Sequence, residues 1–234
     1  MLRLNKYIAN SGVCSRRKAD ELIQRGVVTV NNKVIRVLGA QVDEIKDVIC
    51  VHGNKIQLEE KMSYFMLNKP KGYITTNDEQ FDRPCTLELI HEDVRVFPIG
   101  RLDMETEGLL LFTNDGEFAN RVTHPKNKIG KIYIVKLDAK PTSEQLNKLK
   151  AGVDIGDYIT KAAKVVELAN MEIEIKISEG KNRQVRKMCE AVGLIVLSLR
   201  RVQIGRVKLD NLKVGEYRAL TLSEVKSFNE KIRP

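Results

Sequence analysis

Long apolar runs are missing from this sequence. Its apolar stretches, such as Leu194 to Leu197, fall far short of the roughly 20 residues that a membrane-crossing helix needs. The first residues, Met1-Leu2-Arg3-Leu4-Asn5-Lys6, carry charged and amide side chains where a secretion signal needs an apolar core. Cysteine is sparse and scattered: Cys14, Cys50, Cys85 and Cys189 form no C-x-x-C pair. The three histidines, His52, His91 and His124, form no metal-ligand motif with those cysteines, so neither zinc nor any other metal is expected. No convincing Gly-rich loop follows a strand in the form that cradles a nucleotide cofactor. Repeats and low-complexity tracts are also lacking. These absences point to a cytoplasmic protein with reduced thiols, no membrane association and no small-molecule cofactor, expected to be a monomer.

What the chain has instead is positive charge. Among 234 residues, 40 are Lys or Arg and 31 are Asp or Glu, a formal net charge of +9. Hydrophobic residues make up 42%, enough for a core and too many for wholesale disorder. Excess positive charge favours a polyanionic partner, because each neutralised phosphate releases counterions. Charge alone is weak evidence, since many basic proteins bind no nucleic acid. Residues 1–60 hold 10 Lys+Arg and 7 Asp+Glu, the remainder 30 and 24, so neither part alone accounts for the excess.

A polar seam at Glu59, Glu60 and Lys61 divides the chain into residues 1–60 and 61–234. In the first part, Leu4, Tyr7 and Ile8 before Gly12 suggest a short amphipathic helix. Ser15 is placed to cap a second helix carrying Ala19, Leu22 and Ile23, which Gly26 ends. Asn31-Asn32 between Val27–Val30 and Lys33–Ile35 suggests a tight hairpin, because Asn tolerates positive φ. A further strand is expected at Asp47–Val51. In the second part, strand-like runs at Tyr64–Leu67, Leu109–Phe112, Ile132–Leu137, Ile173–Ile177 and Ile195–Leu199 alternate with few helices. Those helices are expected at Ser143–Lys150, Asn182–Val192 and Leu222–Ile232. This mixture predicts an α+β protein: a small α/β module, then a larger domain with a mainly antiparallel mixed sheet and flanking helices.

Four places carry unusual chemistry. Arg16, Arg17 and Lys18 occupy the first turn of a helix, where the dipole disfavours cations. A solvated charge run would explain them, but with Lys6 nearby they also suit a phosphate backbone. Second, an apolar strand runs into Gly100-Arg101-Leu102-Asp103, and a locally acidic loop closes at Gly108 before another apolar strand. A loop between two strands is a rigid mount for a reactive side chain, although Asp also caps ordinary loops. Third, Lys181, Arg183, Arg186 and Lys187 crowd the start of a helix, near Asn182, whose buried stripe is Val185, Met188, Cys189 and Val192; a solvated basic face is one reading of them. Cations there call for a carboxylate or phosphate counter-charge, whereas Cys189, in the stripe, reads as packing. Fourth, Lys131, Tyr133 and Val135 share one strand face, where a lone Tyr is more often core than catalyst.

These segments resemble a known family. Gly100-Arg101-Leu102-Asp103 with Thr106, Gly108, Leu109 and Leu110, then Thr113-Asn114-Asp115-Gly116, resembles the signature of the RsuA branch of pseudouridine synthases. Asn68-Lys69-Pro70-Lys71-Gly72, Lys131-x-Tyr133 and Glu179 to Met188 are similar to that branch's other motifs. Residues 2 to 50 resemble an S4 RNA-binding domain, with Ser15-Arg16-Arg17 opening its second helix. The likeness spans nearly the whole chain and is strongest to the B and F types, the enzymes of this branch that act on large-subunit RNA.

The resemblance implies an RNA pseudouridine synthase acting on ribosomal RNA, 23S favoured and 16S the fallback. It makes Asp103 the nucleophile and Arg186 its ion-pair partner. It makes Tyr133 the ring that stacks on a flipped uracil, and Arg101 the side chain that fills the gap left in the RNA. Lys6, Ser15, Arg16, Arg17, Lys18, Lys69, Lys131, Lys181, Asn182 and Arg183 are implied in RNA binding. The isomerisation needs a positioned carboxylate but no cofactor, and a uracil in structured RNA must be extruded to be reached. A non-catalytic ribosomal RNA-binding or assembly factor is the main rival, and it leaves the coincidence of Asp103, Tyr133 and Arg186 unexplained. An S4-bearing methyltransferase would want the Gly-rich loop that is missing.

Overall fold

The computed structural model describes residues 1–76 and 83–229. The chain forms two compact units, the first comprising Met1–Ser63, Asp93–Arg95 and Asn114–Gly116, the second the rest.

The first unit runs β1 (Leu2–Arg3), α1 (Leu4–Asn10), α2 (Arg16–Arg25), β2 (Val28–Val30), β3 (Lys33–Val34), β4 (Gln41–Val42), β5 (Ile49–Val51) and β6 (Asn54–Lys55). Strands β3-β2-β5-β6 form one antiparallel sheet, while β1 pairs with β4. Helix α2 starts where Ser15 Oγ accepts the Lys18 backbone N–H at 3.3 Å, and it stops at Gly26 with φ +73°. Asn31 and Asn32 both take positive φ, 51° and 63°, as a primed hairpin turn requires. The Asn31 amide also fastens the turn, donating to Asp47 Oδ1 at 2.8 Å and accepting from the Val48 N–H at 2.9 Å. Leu4, Tyr7 and Ile8 of α1 and Ala19 and Ile23 of α2 pack on Val28, Val42, Ile49 and Val51. One apolar face per helix thus meets one face of a small sheet.

The second unit contains β7 (Tyr64–Lys69), β8 (Phe97–Ile99), β9 (Glu107–Thr113), all but the first residue of α3 (Gly116–Thr123), β10 (Lys131–Leu137), α4 (Ser143–Ala151) and β11 (Lys164–Glu167). It continues with β12 (Glu172–Ile177), α5 (Gln184–Ala191), β13 (Val196–Ile204), β14 (Val207–Lys208), β15 (Tyr217–Ala219) and α6 (Leu222–Ser227). The nine-stranded sheet has the order β11-β12-β10-β13-β9-β7-β15, with β14 added to β13 and β8 to β9. Every pairing is antiparallel except β9 with β13, which is parallel at Arg200↔Glu107 and Arg201↔Gly108. The expected α+β class and mixed, mainly antiparallel sheet are therefore what the chain adopts.

The parallel junction explains a glycine. Gly108 sits at φ +107°, and a Cβ there would lie 2.2 Å from the Arg201 carbonyl oxygen. No side chain fits where the two strands approach. Helix α3 was not expected; its Phe118 and Val122 join Met66, Ile99, Leu109 and Leu111 in the core. The Phe118 ring stands edge-on to Tyr64 at 4.8 Å and to Phe228, just beyond α6, at 5.4 Å. Of the expected terminal helix, Leu222–Ser227 is helical, and its last residues lie outside the described ones.

Candidate active site

Asp103 lies on the loop between β8 and β9, and that loop is fastened along its backbone. Lys69, at the end of β7, is 0% exposed. Its ammonium donates to the carbonyls of Pro70 at 2.9 Å, Thr106 at 3.0 Å and Met104 at 3.3 Å. The Gly72 N–H donates to the Met104 carbonyl at 3.0 Å. Thr75 Oγ1 donates to the Leu102 carbonyl at 3.0 Å and lies 3.3 Å from the Leu102 N–H, which donates back to it. The Thr106 N–H closes the turn onto the Asp103 carbonyl at 3.0 Å. Asp103 is thus carried by a braced backbone, its side chain half-buried.

Lys69 corrects the expectation that it binds RNA. Three carbonyls have replaced water around its ammonium, and no part of it reaches the surface. Burial pushes its pKa down to about 8, opposed by the charges of Asp103, Glu105 and Glu107. It is an anchor for the loop.

Asp103 faces a cleft of about 640 Å³ in the second unit, with Arg101, Lys131, Tyr133, Lys181 and Arg201 on its walls. Tyr133 on β10 is 8% exposed and stands opposite Arg201 on β13. Arg201 Nη1 lies 3.5 Å from the Tyr133 hydroxyl oxygen, Nε donates to the Leu109 carbonyl at 2.8 Å, and Nη2 is buried without a partner. Sequence reasoning missed Arg201. Two arginines stand side by side in β13, and only the pairing register shows that Arg201 is buried while Arg200 is exposed.

Arg186 on α5 is half-buried. Its Nη2 donates to the Glu105 carbonyl at 3.1 Å and its Nη1 to the Val196 carbonyl at 3.2 Å, while Nε is buried without a partner. The contact ion pair expected with Asp103 is not formed: among the described residues, no bridge within 4.0 Å joins the two. The guanidinium is already engaged by two carbonyls and grips the Asp103 loop through Glu105. Burial lowers its pKa, Arg183 adds to the shift, and the charges of Asp103 and Glu105 oppose it.

The remaining wall runs from Ser178 to Gln184. Glu179 organises it by accepting from Tyr158 Oη at 2.8 Å, the Lys161 N–H at 3.0 Å and Gln184 Nε2 at 2.6 Å. Lys181 Nζ sits 4.3 Å from the Tyr158 ring centroid, and Lys181, Asn182 and Arg183 are exposed. Arg183 has φ 49°, which delays α5 to Gln184 rather than the expected Asn182. Cys189 is fully buried with its thiol pushed up to about 12 by burial, so packing is its role, as read from the stripe. In the first unit, Arg16, Arg17 and Lys18 are exposed at the start of α2, with Lys18 bridged to Glu21 at 2.9 Å. Lys6 and Ser15 are partly exposed, and Ser15 serves as the α2 cap. Among the described residues, no group of three or more His, Cys, Asp or Glu side chains could hold a metal ion, and no helix is long and apolar enough to cross a membrane.

The second unit therefore presents a carboxylate on a braced loop, an aromatic ring and several cations around one cleft, and the first presents a basic helix start. That combination suits an enzyme that acts on a polyanion, and comparison with known proteins gives its class. Residues 63–191 match the RNA pseudouridylate synthase family and residues 2–49 the S4 domain. A ribosomal large subunit pseudouridine synthase B of Bacillus subtilis is 44% identical over 234 residues, covering 97% of this chain and 95% of that protein. A dual-specificity RNA pseudouridine synthase RluF of Escherichia coli is 38% identical, covering 96% and 77%. A crystal structure of a pseudouridylate synthase superposes with a TM-score of 0.72 at 33% identity, covering 97% of this chain and 100% of that one. The chain belongs to the RNA pseudouridylate synthase family, in its RsuA-type branch, and is an isomerase with an S4 RNA-binding domain.

Proposed function

We propose that this enzyme converts a uridine of ribosomal RNA, 23S rather than 16S, to pseudouridine, with Asp103 as the nucleophile. The observation that carries the reading is the meeting of Asp103 and Tyr133 in one cleft, with Arg186 holding the Asp103 loop from behind. The choice of large-subunit RNA is supported by the name of the B. subtilis relative.

The chemistry needs no oxidant. The target nucleotide is extruded, since a paired and stacked base cannot enter a cleft, and Arg101, exposed beside Asp103, fills its place in the RNA. Tyr133 stacks on the flipped uracil. The Asp103 carboxylate attacks at C1′ or at C6, and the N1–C1′ bond breaks with its electron pair going to the base. The base turns, C5 bonds to C1′, the Asp bond breaks, and the proton on C5 is released while N1 takes one up. Atoms and electrons balance as an isomerisation. Arg186 positions Asp103 through the backbone, by gripping the loop at the Glu105 carbonyl. Lys181, Asn182 and Arg183 at the cleft, with Lys6, Arg16, Arg17 and Lys18 in the first unit, hold the RNA backbone. Ser15 supports that face as a cap.

The test is pseudouridine mapping of ribosomal RNA from cells lacking the gene, complemented with wild type or Asp103→Asn. One 23S site should vanish and return only with wild type. Restoration by Asp103→Asn would remove the nucleophile assignment, and an unchanged map would remove ribosomal RNA as the substrate.

A further inference from the structure

Two cations, Lys131 and Arg201, line the cleft without a counter-ion among the described residues. Arg201 is 3% exposed and has one buried, unpartnered nitrogen. Its other donors go to a carbonyl and to the Tyr133 hydroxyl, and no carboxylate bridges it among the described residues. Lys131 is half-buried two residues before Tyr133, on the same face of β10, and it too lines the cleft. Its ammonium has no hydrogen bond or ion pair among the described residues. Burial and then the charge of Arg201 push Lys131 down to about 8. Two like charges in a poorly solvated wall raise each other's cost, and an anion lying against them removes it. A uracil is neutral and cannot do so. The nucleotide that carries it brings a phosphodiester on each side.

We infer that Lys131 contacts a phosphate flanking the flipped uridine, with Arg201 behind it as a positioning residue that fixes the Tyr133 hydroxyl and adds its charge. This rests on the cleft being the uridine site. Lys131 makes the contact because it reaches the open cleft. Arg201, anchored by the Leu109 carbonyl, holds the phosphate side and the ring side of the nucleotide in one frame. An inorganic anion offers the same chemistry as a phosphodiester, so the test must separate the two.

The experiment measures binding of uridine, uridine 3′- and 5′-monophosphate, and inorganic phosphate to the full chain by NMR titration. At least one monophosphate should bind about tenfold tighter than uridine, and it should raise the Lys131 titration midpoint. Lys131→Met should erase the preference and Lys131→Arg should keep most of it, with thermal melts confirming that each variant is folded. Arg201→Lys, the conservative change at a buried position, should weaken the preference and move the Tyr133 ring resonances. Equal binding of uridine and both monophosphates, or a preference that survives Lys131→Met, overturns the inference. Inorganic phosphate binding at Lys131 as tightly as the monophosphates overturns it too, because the site would then be a general anion site. No readout needs turnover. A phosphate preference in a chain whose loss changes no ribosomal RNA site would sink the proposed substrate alone, and the converse would sink this inference alone.

Discussion

A single methyl group probes the β9–β13 junction. In Gly108→Ala the new Cβ would meet backbone at 2.2 Å and sit at φ +107°, so no side-chain adjustment can relieve it. The cost expected is at least about 3 kcal/mol, read as a lower urea midpoint. Gly116→Ala, where nothing lies within 4 Å, should change stability by no more than about 0.5 kcal/mol. Similar losses from both would mean that the strand contact is not what Gly108 serves. At Lys131 the residue scale is electrostatic. Its folded pKa of about 8 lies below the ordinary 10.5, so between those values the unfolded chain binds more protons and folding gains as pH rises. Among the charged groups on neighbouring elements, Arg201 on β13 is the one that weighs on it, while Asp103 and Glu179 line other walls. Wild type should therefore gain stability relative to Lys131→Met between about pH 8 and about pH 10.5, since Lys69 titrates alike in both proteins. A pH-independent gap would show that Lys131 is not held in that state. Glycines and caps were legible in the sequence because their conformational demands are local. The burial of Lys69 and Arg201 was not, because a cation in an apolar strand shows its direction only once its partner strand is known.

At the scale of the element, the proposed role of Asp103 makes catalysis depend on how firmly the loop from Gly100 to Thr106 is held. Strand, loop and strand were legible from the two apolar runs and the glycines at each end. The braces were not. Lys69, Gly72 and Thr75 are 34, 31 and 28 residues before Asp103 in the chain, and nothing local links them to it. Thr75→Val keeps the shape of the side chain and removes both bonds to Leu102. The expected result is a stability loss of about 1–2 kcal/mol and a fall of about tenfold in single-turnover rate, because small misplacement of a reacting group is costly. RNA affinity should stay near wild type, since Thr75 is buried. Reduced affinity at an unchanged rate would place the brace on the binding side instead. Helix α3 escaped the sequence reading for a related reason. Gly116 and Asp115 suggest a turn, and the helix is justified by Phe118 and Val122 meeting a core built from distant strands.

For the whole molecule, the question is which of its many cations meet RNA. Positive charge is spread over both units, so net charge identifies no face, and the helix starts are the candidates to test. In α2 the first turn has no acid, and Arg16 and Arg17 are exposed with no carboxylate partner among the described residues. Lys18 is already bridged to Glu21, and such exposed bridges contribute little. The helix does not need the two arginines, because Ser15 caps it and Ala19 and Ile23 bury its apolar side. Replacing them should therefore change binding without unfolding the unit. If both contact phosphates, Arg16→Ala with Arg17→Ala removes two counterion-releasing contacts, and the slope of log K against log salt should fall in magnitude by about 1 to 2. Affinity should drop alike for target and unrelated RNA, because backbone contacts position the protein and do not read sequence. A drop confined to the target would mean that this face recognises shape or bases, and an unchanged slope would move the backbone contact to the cations around the cleft.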